Sequence, residues 1–121
     1  MHLHRGTVPP MVDEMSPHQK VVIAKNKWWG ITLWLDDVLN LTERDEFIYH
    51  EMIVHVPMFT HPDPRRVLII GGGDGGSARE VLKHSNLEKC VMIEIDEMVV
   101  NACKCIYQHS TMEHLTTLIW N

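Results

Sequence analysis

The sequence is poor in cysteine: it has only Cys90, Cys103 and Cys105, an odd number with no C-x-x-C spacing. That speaks against a disulfide framework and fits reduced, packing-type thiols in a cytoplasmic protein. An excess of basic charge is also missing. The 11 Lys and Arg stand against 16 Asp and Glu, a net charge of −5. No basic face is available to neutralise phosphates, so a nucleic-acid partner is not expected. A cationic small molecule suits this balance better. No apolar run approaches the ~20 residues that a membrane span needs, and the N-terminus has no signal-peptide core. Neither a membrane partner nor a secreted address is therefore expected. Internal repeats and low-complexity tracts are absent too. At 121 residues and 45% hydrophobic, the chain is one domain at most, or a piece of a larger one, with apolar content enough for a core.

Three stretches differ in texture. Residues 1–18, with adjacent Pro9 and Pro10 and no clear period, read as a loose arm. Residues 19–41 read as a β-hairpin region. "KVVIA" and "ITLWL" are β-rich runs, and "KNKWWG" between them offers Asn26 and Gly30 as turn residues. Trp28, Trp29 and Trp34 read as packing on the hairpin face, with an aromatic binding wall as the alternative. Residues 42–121 read as a partial Rossmann-like nucleoside-binding domain. Thr42 is a suitable helix N-cap, with Glu43, Asp45 and Glu46 in the first turn to meet the positive helix end. Ile48, Met52 and Val56 then share one helical face, and Pro57 closes the pattern. After a proline-rich loop come an apolar strand at Val67–Ile70, a glycine loop, a helix near Ser77–His84, a strand "CVMIEI" and a helix from about Glu97. Two strands apolar on both faces, alternating with helices, imply a parallel sheet in an α/β layer architecture.

The loop in "VLIIGGGDGGSARE" carries the chemistry. Gly71, Gly73 and Gly76 match G-x-G-x-x-G, and Glu94 and Asp96 follow near the spacing of a ribose-binding acid. Bare backbone at a helix N-terminus can receive a ligand; a glycine-rich turn without any ligand is the plain alternative. In a dinucleotide enzyme this loop sits under a pyrophosphate, which a carboxylate at Asp74 would repel. Asp74 therefore points to an occupant without phosphates there, or with positive charge. S-Adenosyl compounds meet both conditions, with Glu94 placed for the ribose hydroxyls.

"HEMIVH" tempts a zinc reading, but His50 and His55 are five residues apart. That is about 140° around a helix, so they cannot close on one metal, and no metal site is expected. Tyr49 and His50 either pack structurally or line a groove that accepts hydrogen bonds from amines.

Taken together, "HQKVVI", "LTERDEFIYHEMIVHVPMFTHPDPRRVLIIGGGDGG", "REVLKH" and "EKCVMIEIDEMVV" resemble the polyamine aminopropyltransferases, the spermidine synthases in particular. The resemblance runs from about His18 to Val100. It implies transfer of the aminopropyl group of decarboxylated S-adenosylmethionine to putrescine, with the donor a co-substrate and no cofactor needed. It also implies an N-terminal hairpin region, the first half of a methyltransferase-like parallel sheet, and a homo-oligomer. Carried over by position, Gln19, Gly71, Gly73, Asp74 and Glu94 would bind the donor, and Tyr49, His50 and Asp74 the amine. The proton-accepting aspartate of such enzymes would fall beyond Asn121, which implies a truncated or fragmentary member. Leu35-Asp36-Asp37 replaces the usual "LDG", and "GGSARE" a bulkier pair; after about Ile106 the likeness ends. An S-adenosylmethionine methyltransferase, or a non-catalytic nucleoside-binding remnant that assembles with intact subunits, is the alternative. The first shares the loop and Glu94 but leaves "TERDEFIYHEM" without a role.

Overall fold

The computed structural model describes residues 9–106 and 115–119. Two compact units divide the chain between Glu46 and Phe47, five residues beyond the 41/42 boundary expected from the sequence.

In the first unit, strands β1 (Val12–Met15), β2 (Lys20–Asn26), β3 (Gly30–Leu35) and β4 (Val38–Thr42) form an antiparallel sheet in that order. The expected hairpin is β2–β3, closed by the pair Asn26↔Gly30. Asn26 Oδ1 accepts the amide N–H groups of Trp28 at 2.8 Å and Trp29 at 3.2 Å, which bends the chain back on itself. Val21, Val22, Ile23 and Ala24 are all buried, so β2 is covered on both faces. β1 corrects the loose-arm reading over residues 12–15: its apolar content is slight, but backbone pairing to β2 suffices to order it. The remainder of that stretch up to residue 8 lies outside the described residues.

The Asp36-Asp37 departure does not spoil the next turn. Both residues adopt positive φ (48° and 64°), as a two-residue hairpin turn requires. Aspartate tolerates that region, and Asp36 Oδ1 accepts the Lys20 amide at 2.8 Å. Trp28 corrects the packing reading of the tryptophans: it is 69% exposed, with the Lys27 ammonium 5.5 Å from its ring centroid. Trp34 packs part-buried and donates its ring N–H to Thr32 Oγ1 at 3.0 Å. Thr42 ends β4 and caps no helix; its hydroxyl donates to Asp45 Oδ1 at 2.6 Å.

The second unit is built on a parallel sheet of β5 (Arg66–Ile70), β6 (Lys89–Glu94) and β7 (Leu115–Ile119), in the order β5-β6-β7. The third strand corrects the two-strand reading. "LTTLI" is too short and too polar to stand out as a buried strand, and it is recruited by the ladder along β6. Among the described residues β5 is an edge, and Leu68 and Ile70 on it are exposed. Helices α1 (Glu46–Thr60), α2 (Gly76–Val81) and α3 (Glu97–Ile106) complete the unit.

α1 departs from expectation in two ways. Its stripe Ile48, Met52, Val56 is exposed, whereas His50, Val54 and Met58 are buried. The helix is apolar nearly all round, so periodicity alone offers more than one candidate face. The chosen one packs Val54 and Met58 against Val81 of α2 and Cys90 of β6, with Val67 and Ile69 of β5 alongside. The helix also runs through Pro57 to Thr60. Proline there gives up its bond to the carbonyl four residues back and crowds it, and the Thr60 hydroxyl adds a bond to the Val56 carbonyl at 2.7 Å. Among the described residues no helix is long and apolar enough to cross a membrane.

Candidate ligand site at the glycine loop

β5 is apolar and ends at Ile70, and five loop residues, 71–75, separate it from α2. Gly71 and Gly72 take φ of 81° and 77° in succession, a run that most side-chain-bearing residues resist. The Gly71 amide reaches back to the Ile93 carbonyl at 2.7 Å, which fastens the loop to the end of β6.

That fastening brings Glu94 under the loop. Its Oε2 accepts the Gly73 amide at 2.8 Å, and its Oε1 accepts the Ile95 and Asp96 amides at 2.8 and 3.1 Å. A Cβ at residue 73 would stand 2.8 Å from Oε2 and push this carboxylate aside. Three amides leave about one of the carboxylate's four acceptor positions for an outside hydroxyl. Asp96 next to it caps α3, accepting the Met98 amide at 3.0 Å.

Asp74 is held from both helices. Its Oδ1 accepts the Gly76 amide at 2.7 Å, at the start of α2, and lies 3.1 Å from His50 Nε2 on α1. Burial alone would push the Asp74 carboxyl up. The His50 ring and the Gly76 amide outweigh burial and hold it below the usual carboxylate range. The loop thus carries a full negative charge at neutral pH. His50 is 3% exposed and touches Asp74 from beneath, so it presents little surface to a ligand of its own. A Cβ at residue 76 would collide with the His50 ring. Cys103 of α3 is buried nearby; burial, with the Asp74 and Glu94 carboxylates, pushes its thiol up to about 12. It remains a neutral thiol and offers no nucleophile.

The structure therefore gathers His50, Gly71, Gly73, Asp74 and Glu94 at one end of the parallel sheet. Tyr49 is 62% exposed and stands edge-on to the His50 ring, with centroids 5.2 Å apart. Gln19 belongs to the first unit, in the bend before β2, where its backbone N–H donates to Ser16 Oγ at 3.0 Å. Two partners escaped the sequence reading: the Gly76 amide and Cys103. The first has no side chain to signal it, and the second is one buried cysteine in an amphipathic helix.

The spermine/spermidine synthase domain family matches residues 46–116. Over 94 residues the chain is 56% identical to a polyamine aminopropyltransferase of Thermoanaerobacter sp. (strain X514), covering 78% of this chain and 34% of that one. It is 54% identical over 91 residues to a polyamine aminopropyltransferase of Methanocaldococcus jannaschii, covering 75% of this chain and 31% of that one. Among solved structures, spermidine synthase from Thermotoga maritima superposes with a TM-score of 0.85 at 43% identity, over 93% of this chain and 41% of that one. A spermidine synthase in complex with the transition state analogue AdoDATO gives 0.87 at 44% identity. The chain spans about a third of the length of the curated relatives it matches.

Proposed function

Because the chain belongs to the spermine/spermidine synthase family, we propose that its glycine loop receives decarboxylated S-adenosylmethionine and serves aminopropyl transfer to putrescine. The observation that carries this reading is the anionic Asp74 in a loop otherwise shaped for a nucleoside. A pyrophosphate would meet that charge at short range and be repelled, whereas a sulfonium or protonated amine is attracted. Glu94 serves the ribose, its remaining acceptor position taking one hydroxyl. Gln19 serves the donor, Tyr49 the amine, and His50 supports the amine through Asp74.

The reaction is a displacement. The amine nitrogen of putrescine bonds to the carbon beside the sulfonium, the carbon–sulfur bond breaks with its electron pair going to sulfur, and methylthioadenosine leaves. The proton that the attacking amine must lose goes to a general base. No cofactor enters this scheme, since the donor is a co-substrate. The setting is cytoplasmic, with the β5 edge, open among the described residues, buried in a homo-oligomer. Residues 19–41 and 42–121 act as a hairpin region and a partial nucleoside-binding domain.

Calorimetry with methylthioadenosine tests the reading. A charge-assisted hydrogen bond is worth about 1.5–3 kcal/mol, so Glu94→Gln should weaken binding by roughly tenfold or more. Equal affinities for both proteins would remove Glu94 from the site and the reading with it.

A further inference from the structure

The second unit contains a polar cluster that the ligand site does not use. His55 of α1 reaches two groups beyond its own helix. Its Nε2 lies 3.1 Å from Glu80 Oε2 on α2, and its Nδ1 lies 2.9 Å from His84 Nε2 in the turn that follows α2. Glu80 is 1% exposed, and Arg79 Nε donates to its other oxygen at 2.8 Å while Lys83 shares Oε2. The Phe59 ring closes one side, 5.9 Å from His55 and 5.1 Å from His84 between centroids. On α1 itself, exposed Glu51 lies one helical turn before His55. β5 and β6 offer this junction Val67, Ile69 and Cys90; of these only the Cys90 thiol titrates, and burial pushes it up.

The hydrogen-bond inventory fixes where the protons sit. Burial would raise the Glu80 carboxyl, but Lys83 and Arg79 hold it down to about 2, so it can only accept. His55 Nε2 must then carry a hydrogen and donate it to Glu80. With His55 neutral, its Nδ1 is a lone pair that accepts from His84 Nε2–H. With one proton added, His55 donates at both nitrogens and His84 Nε2 becomes the acceptor. Either state keeps the 2.9 Å contact. With two protons added, two N–H groups face each other and the contact fails. We propose that His55, Glu80 and His84 form a latch holding α1 to α2 and to the turn after it, whose His84 arm tolerates one added proton and releases on the second. The helices it joins are those that meet Asp74, through His50 on α1 and the Gly76 amide on α2. The latch thereby positions the loop carboxylate from outside the site, whatever the loop binds.

Burial, and the charge of His55 beside it, lower the His84 pKa from its ordinary 6.5. Protonation therefore favours the unfolded chain: the latch's stabilisation is complete above 6.5 and is lost as pH falls through the His84 value. The test uses the whole 121-residue chain. Between pH 7 and 5 the wild type should lose more in Tm than His84→Asn, which cannot take the second proton. Parallel profiles would overturn the latch. Independently of any variant, long-range ¹⁵N spectra at pH 7.5 should find the His55 proton on Nε2, and the Gly76 amide should shift as the His84 ring titrates. A proton on His55 Nδ1 with Nε2 bare, or a Gly76 amide that stays still through the His84 titration, would overturn it as well.

Discussion

Substituting Gly76 by alanine tests how closely α1 and α2 meet at Asp74. The Cβ would be built into the His50 ring, contacting Cε1 and both ring nitrogens. The ring has nowhere to retreat: it is 3% exposed, and its Nε2 is committed to Asp74 at 3.1 Å. Gly76 has no positive φ, so alanine meets no backbone penalty there. It even gains up to about 1 kcal/mol of helix propensity at this first residue of α2. Against that gain stands overpacking of a filled site, typically about 1–3 kcal/mol, together with the loss of a hydrogen bond to a charged acceptor, about 1.5–3 kcal/mol. Gly76→Ala should therefore destabilise the chain by about 1.5–6 kcal/mol in urea denaturation. The sign should reverse once the ring is gone. In a His50→Ala background the same change should be neutral or stabilising by up to about 1 kcal/mol. The double-mutant cycle isolates the contact. If Gly76→Ala costs the same in both backgrounds, the ring is not what the methyl group meets, and the account of His50 beneath the loop fails.

Three further outcomes follow from the same geometry. Asp74→Asn should weaken binding of the aminopropyl-bearing donor more than that of uncharged methylthioadenosine, by calorimetry; equal losses would mean that Asp74 only shapes the loop. The Asp74 and Glu80 carboxyls are both held below their ordinary values, Glu80 down to about 2. Their stabilisation is present above the ordinary carboxylate range and is lost as pH falls from about 4.5 towards 2. Acid unfolding followed by circular dichroism should accordingly be shallower for Glu80→Gln over that window, and identical slopes would contradict it. Finally, Asp74 holds protons weakly and Glu94 already serves three amides, so neither is a suitable base for the attacking amine. With decarboxylated S-adenosylmethionine and putrescine, the 121-residue chain should turn over at least about 100-fold more slowly than a full-length relative. Comparable turnover in a product assay would place a base within these residues.

Much of the site was legible in the sequence because its elements are local. Glycines at positive φ, an apolar strand before them and an acid at the end of the next strand are one-dimensional signals. Each follows from a backbone requirement that few residue types can meet. The sign of the charge at Asp74 was equally legible, and charge alone sets a sulfonium against a pyrophosphate. The hairpin "KVVIA"–"ITLWL" declared itself for the same reason: Asn26 and Gly30 are local turn chemistry. What the sequence could not decide was which of several equivalent surfaces each helix would use. α1 is apolar nearly all round, and only the sheet and α2 select His50, Val54 and Met58 over Ile48, Met52 and Val56. β7 is a strand because β6 offers it a ladder, not because "LTTLI" insists on one. His50 and His55 diverge around their helix, which ruled out a shared metal; yet the same divergence sends one to Asp74 and the other to Glu80 and His84, residues far along the chain. Contacts of that kind depend on the closeness of two packed helices. That distance is set by the core between them and is written at no single position.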